Sequence, residues 1–242
     1  MKTLQKEKIE DHFENVFKSV NRGKSKLGER QEEIYSLSGI GMKHLLNILC
    51  DLSYKINYLE LGPYRGGTLI SALWENDVNA YVVDHFKWDA TSPNRYQEDG
   101  HPNVRTALNN TIDTYKRAWK GKNTIKIIDS DLHEVDLSEI DTKIDVVFHD
   151  ADKKGEDIEI FLKKYKSVLD KYCILAFTKM QDIGIKGKIE NNLKDNNYNI
   201  IECRMIPDTG VGLDGRSGVG LYYIENKKII STPATKKVSI NA

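Results

Sequence analysis

The chain has only three cysteines, Cys50, Cys173 and Cys203, and their spacing cannot close a zinc site. Cys50 and Cys173 sit in apolar runs and are expected as small buried side chains in a reducing compartment. Net charge is missing as well, because 36 acidic residues balance 36 basic ones. That removes a bulk attraction to nucleic acid or to a membrane, and neither is expected as a partner, although Lys153, Lys154, Lys163 and Lys164 form a local basic cluster. No stretch approaches the roughly 20 apolar residues that span a bilayer. The segment MKTLQKEKIEDHFENVF lacks the apolar centre of a secretory signal, so the expected location is cytoplasmic. No internal repeat is visible.

What is present is ordinary globular material. A hydrophobic content of 39% with 30% charged residues excludes a disordered or fibrous chain, and 242 residues suffice for one α/β domain with helical additions. Residues 4 to 21 repeat Leu4, Ile9, Phe13, Phe17 and Val20 at helical spacing, which predicts an amphipathic helix that packs on the main body or on another subunit. After the break SLSGIGM, a helix is expected over MKHLLNILCDL. Strand-like runs then alternate with helical ones: Ile56 to Leu61, TLISALWEN, AYVVDHF, residues 104–119, TIKIIDSDL, IDVVFHDADKKG, DIEIFLKKYKSVL, CILAFTKM and GIKGKIENNLKDN. NIIECRMI and GLYYIEN close the chain as a hairpin joined by DTGVGLDGRSG. This alternation predicts a Rossmann-like, mainly parallel sheet with helices on both faces and an antiparallel C-terminal hairpin.

The first strand runs into YLELGPYRGGT. Ligands of open parallel sheets bind beyond the carboxyl ends of the strands, so Gly62 stands where a small molecule would be held. A dinucleotide fingerprint needs G-x-G-x-x-G, and here Tyr64 occupies the place of the second glycine, which admits the pyrophosphate. A P-loop also fails, because no Lys-Ser or Lys-Thr pair follows the last glycine. Asp84 lies 22 residues after Gly62, the spacing at which a ribose diol finds its acceptor, although it could equally cap a helix. Asp131, after the third strand, is open to a ligand role and to an ordinary turn role. His85 follows Asp84 and could border the same ligand.

YLELGPYRGGT, with its acid, glycine and later glycine pair, resembles the first motif of class I S-adenosylmethionine-dependent methyltransferases. The opening LSGIGMKHLLNIL into YLELGPYRGGTLISALWEN is similar to that of the small methyltransferases often grouped as "family 24". The resemblance covers about residues 40 to 226. It implies a seven-stranded sheet, S-adenosylmethionine as cofactor and a small-molecule acceptor. It further implies a cofactor site of Glu60, Gly62, Tyr64, Gly66, Asp84, His85, Asp131 and Leu132. Glu60 would hold the turn or face the amino acid part, Asp84 would take the ribose, and Asp131 would meet the adenine amino group. The expected organisation is a helical extension over residues 1–40, a methyltransferase-like domain over 41–230 and a disordered tail over 231–242. A homodimer through the N-terminal helix is a further expectation.

The motif HDADK resembles the fourth-strand segment of metal-dependent catechol and caffeoyl-coenzyme A O-methyltransferases. That resemblance implies O-methylation, with Asp150 as the ligand of a divalent metal and Lys153 as general base on a hydroxyl. Those families complete a metal site with an Asp-Asn pair on the next strand, whereas this chain has Thr178 and Lys179 there. No full metal site is therefore expected. Lys179 could instead face a developing oxyanion, pair with Asp150 or lie on the surface. His149 is expected to be a packed histidine, because neighbouring strand positions face opposite ways. The stretch 86–103, with Trp88, Arg95, Tyr96 and His101, could cover the ligand or be a surface excursion. Two alternatives remain: a cofactor-binding scaffold of the same fold without activity, and a nucleotide-sugar or NAD enzyme with an aberrant turn.

Overall fold

The computed structural model describes residues 6–20, 25–87, 103–118, 123–151, 155–180, 184–206 and 218–227. Within them, seven strands form one sheet: β1 (Ile56–Leu61), β2 (Val78–Asp84), β3 (Thr124–Asp129), β4 (Ile144–His149), β5 (Leu169–Thr178), β6 (Tyr198–Ile206) and β7 (Val219–Asn226). Their spatial order is β3-β2-β1-β4-β5-β7-β6, parallel from β3 to β5 and antiparallel at both β7 contacts. The order reverses direction after β3, where the chain passes from one side of β1 to the other. That crossover opens a crevice at the carboxyl ends of β1 and β4.

The helices are α1 (Lys6–Val20), α2 (Glu29–Glu32), α3 (Ile40–Leu49), α4 (Gly67–Leu73), α5 (Val104–Ala118), α6 (Gly155–Lys164) and α7 (Ile185–Asp195). Central parallel strands are covered on both faces and so read as nearly continuous apolar runs; β4, IDVVFH, is buried at every position. Alternate residues feed two cores. Ile56 and Tyr58 of β1 join α1, α3, α4 and α5 through residues such as Leu45, Leu69 and Leu108. Leu59 and Leu61 face the other way, onto Phe161 of α6 and Leu193 of α7.

The N-terminal helix belongs to the first core. Phe13 and Val16 are fully buried, and the Phe13 ring lies 6.2 Å from that of Tyr223 on β7. His12 Nε2 meets the Leu49 carbonyl of α3 at 3.3 Å, and Arg204 pairs with Glu14 at 2.9 Å. Of the stripe residues whose burial is described, Phe13 packs inside the chain and Phe17 is only partly buried. Helix α3 starts at Ile40, two residues before its expected start, because Gly39 serves as its N-cap in extended backbone. The short α2 had no counterpart among the expected elements. Most of the stretch 86–103, most of DTGVGLDGRSG and the expected tail lie outside the described residues.

Candidate functional site

The sheet ladder continues past the strand ends and fixes the site's frame. Gly62 N–H donates to the Val83 carbonyl at 3.0 Å, Asp150 N–H to the Leu61 carbonyl at 3.0 Å, and Ser130 N–H to the Asp84 carbonyl at 3.1 Å. These bonds tie the ends of β1, β2, β3 and β4 into one rim. Gly62 has φ +82, and a Cβ there would stand 3.0 Å from both Cα and N of Ala151. Glycine is needed for both reasons, left-handed backbone and close approach of two strand ends.

Above the rim lies a cavity of about 380 Å³, within the range of small-molecule sites. Gly62, Asp84, His85, Asp131 and Leu132 line it together, joined by Lys87, His133, Ala151 and Asp157. Both proposed acids also act locally. Asp84 Oδ1 accepts the Phe86 N–H at 2.9 Å, and Asp131 Oδ1 accepts the His133 N–H at 2.8 Å. The turn alternatives are therefore real, yet both residues remain on the cavity wall. His85 Nδ1 accepts the Lys87 N–H at 2.9 Å, which fixes its ring at the edge.

Tyr64 and Gly66 stand in the turn rather than on the cavity wall. Tyr64 has φ 51, so it adopts the left-handed backbone a glycine would have there, while its ring lies against that of Tyr35. Phe86 and Lys179, with φ 50 and 63, follow β2 and β5 at the same edge of the sheet. Left-handed non-glycine residues are strained by about 1–3 kcal/mol each and concentrate at functional edges. A Cβ on Gly66 (φ +88) would meet Leu108 Cδ1 at 2.7 Å, so this glycine serves the packing of α4 on α5.

Glu60 lies beneath the turn, fully buried. It accepts from Thr68 Oγ1 at 2.5 Å and from the Tyr58 hydroxyl at 3.0 Å, which anchors α4 to β1. Of its two expected roles, these bonds describe the holding of the turn. Burial raises its carboxyl to about 7; the two hydroxyl bonds oppose this, and the nearby charges of Asp150 and Asp84 add to it.

Asp150 follows β4, and its Oδ1 accepts from Thr178 Oγ1 at 2.8 Å. Thr178 thus meets Asp150 with a hydroxyl, where the HDADK resemblance led to the expectation of a carboxylate in a metal site. The neighbouring Lys179 has a buried Nζ with no hydrogen-bond partner among the described residues. Among those residues no group of three or more His, Cys, Asp or Glu can hold a metal. Among the described residues, the side-chain oxygens paired at this strand end are those of Asp150 and Thr178, whereas a divalent ion wants several hard oxygens. Lys153 lies outside the described residues. His149 is packed between the Phe161 ring at 5.2 Å and the Phe177 ring at 5.6 Å, and burial lowers its imidazole to about 4.

Sequence reasoning missed His133 and Asp157. His133 Nε2 meets Asp157 Oδ1 at 2.8 Å across the cavity wall, and Asp157 is 5% exposed. Lys164 Nζ reaches the His133 carbonyl, and the Tyr165 hydroxyl donates to the Leu132 carbonyl at 3.1 Å. The loop after β3 is thereby clamped by α6. His133 adjoins a quoted motif, but its partner comes from 24 residues away and gives no local pattern.

No family model matches the chain, and no curated protein matches it. Solved structures do. N-methyltransferase NodS from Bradyrhizobium japonicum, in complex with S-adenosyl-L-homocysteine, superposes with TM-score 0.53 at 12% identity, over 88% of this chain and 100% of NodS. TrmN from Thermus thermophilus gives 0.52 at 11% identity over 81% of this chain, which spans about half (51%) of TrmN. The small RNA methyltransferase HEN1 gives 0.53 at 12% identity over 78% of this chain, which spans 25% of HEN1. The chain therefore has the Rossmann-like fold of class I S-adenosylmethionine-dependent methyltransferases. The comparisons reach no finer grouping within that class.

The HEN1 match corrects one expectation. The same fold carries an enzyme of RNA, so a neutral net charge does not exclude nucleic acid, and the restriction to a small-molecule partner does not hold. Net charge averages over the whole surface, whereas a substrate meets one rim. Among the described residues, no helix is long and apolar enough to cross a membrane.

Proposed function

We propose that the protein is an S-adenosylmethionine-dependent methyltransferase whose adenosyl site is the cavity over β1, β2 and β3. The supporting observation is one wall that joins Gly62, Asp84, His85, Asp131 and Leu132 around about 380 Å³. Asp84 stands where a ribose diol needs an acceptor, and Asp131 with the clamped 131–133 loop stands where an adenine edge would lie. Charge favours this ligand over a dinucleotide. Asp84 and Asp150 stand at the joined ends of β2 and β4, two acids that repel a diphosphate and suit a sulfonium with its ammonium. Tyr64 also carries a side chain where the dinucleotide fingerprint needs its second glycine.

Bound there, the cofactor supplies a methyl group already activated by its sulfonium. The protein's part is to hold it and align the acceptor, which supplies much of the rate. A hydroxyl acceptor is the finer reading, supported by the HDADK resemblance. In it Asp150, held by Thr178, lines the approach, and Lys153 takes the hydroxyl proton. The test is incubation with methyl-labelled cofactor and separate RNA, protein and metabolite fractions. Label transferred to hydroxyl oxygen supports the reading. Absence of transfer in all fractions, with no thermal shift by S-adenosylhomocysteine, overturns it.

A further inference from the structure

Arg65 sits in the turn between Gly62 and Gly66 and is 7% exposed. Its guanidinium carbon lies 4.8 Å from the centroid of the Tyr35 ring and 5.3 Å from that of Tyr64. The two rings are themselves 6.1 Å apart. The buried Nε has no hydrogen-bond partner, and the guanidinium forms no ion pair among the described residues. Burying a cation without a counter-charge is costly, and aromatic faces repay only part of that cost. Arginine is also the side chain whose planar fork matches a carboxylate. The segment carrying Tyr35 is fixed in place: a Cβ on Gly67 would lie 2.5 Å from the Tyr35 carbonyl oxygen, so the chain passes directly over the turn.

Strand order says which anion belongs there. A cofactor with its adenine by Asp131 after β3 and its ribose by Asp84 after β2 must extend its amino acid arm toward β1 and β4. That direction leads across Gly62 into the turn, where Arg65 is three residues on, at most about 10 Å of chain. We infer that Arg65, held between Tyr35 and Tyr64, binds the carboxylate of the cofactor's amino acid part. This rests on the adenosyl site proposed above and adds the group that holds the other end of the molecule. It also accounts for the strained Tyr64, whose left-handed backbone brings its ring against Arg65.

The experiment compares two ligands on two proteins by calorimetric titration. S-adenosylhomocysteine has the carboxylate; 5′-methylthioadenosine has the same adenosyl and thioether groups without it. Arg65→Gln should bind S-adenosylhomocysteine about 10- to 100-fold more weakly than wild type, while methylthioadenosine binds both proteins equally. Arg65→Lys should recover part of the loss, since it keeps the charge and not the fork. Unchanged S-adenosylhomocysteine affinity in Arg65→Gln, or equal weakening of both ligands, overturns the inference and leaves the adenosyl site standing. A second measurement needs no variant: decarboxylated S-adenosylhomocysteine should bind wild type about 10- to 100-fold more weakly than the parent, and equal binding overturns the inference. If wild type binds neither S-adenosylhomocysteine nor methylthioadenosine, the adenosyl site itself is wrong and this inference falls with it.

Discussion

Replacing Glu60 by glutamine should change how stability depends on pH, with a size set by the burial of this carboxyl. In the fold its carboxyl titrates at about 7, against an ordinary value of 4.5. The folded state keeps its proton where an unfolded chain has already lost it. This contribution is therefore fully present below pH 4.5 and is lost as pH rises through 7. At ~1.4 kcal/mol per pH unit, the loss is about 3 kcal/mol. Glutamine does not titrate. At pH 4.5 Glu60→Gln should be the less stable protein by about 1 kcal/mol, because an amide serves the Tyr58 and Thr68 hydroxyls less well. By pH 7.5 the order should reverse, with the difference moving about 3 kcal/mol in the variant's favour. Urea unfolding of both proteins at several pH values reads this directly. Subtracting the two curves removes groups they share, including Asp145, raised by burial to about 6, and His149, lowered to about 4. Two parallel curves would refute the reasoning, since they would mean that Glu60 is ionised in the fold across the whole range.

Four further outcomes follow from the packing. His149→Phe should resist acid better than wild type: the neutral imidazole's contribution is present above pH 6.5 and is lost as pH falls through 4, so the variant gains about 3 kcal/mol over that window in acid unfolding. Gly62→Ala should cost about 2 kcal/mol or more in urea, from its left-handed backbone and its collision with Ala151, and should abolish S-adenosylhomocysteine binding. Phe13→Ala should cost about 3–5 kcal/mol, because a fully buried ring leaves a cavity under α1. The wild-type urea midpoint should meanwhile be independent of protein concentration; a rise with concentration would return the helix to a subunit interface.

The sheet was legible because its strands and helices alternate with little ambiguity, and because parallel strands buried on both faces, such as IDVVFH, cannot be mistaken for surface. That several candidate residues would line one cavity was legible for a related reason. Gly62, Asp84 and Asp131 each stand at or within two residues of a strand end, and the ends of parallel strands meet at one edge whatever the loops do. What could not be seen depends on pairs from separate elements. The His133–Asp157 clamp joins a loop to a helix, and the Tyr35–Arg65–Tyr64 stack joins two turns. The place of α1 was undecided because an amphipathic stripe looks the same against its own core as against a second copy. Tyr64 is the instructive residue: its side chain argued against a pyrophosphate, but only the backbone shows that it keeps a glycine's conformation. Thr178 carries the same lesson at β5, where the sequence showed a missing carboxylate and the structure shows a hydroxyl bonded to Asp150.

The central claim is that the edge formed by β1, β2 and β3 holds the adenosyl group of a phosphate-free cofactor. Calorimetric titration of S-adenosylhomocysteine into wild type and Asp84→Ala tests it most directly. Stoichiometric binding to wild type, weakened at least about tenfold in Asp84→Ala, is the result expected from losing a charged acceptor for the ribose. No binding to wild type, or the same affinity in both proteins, would contradict it.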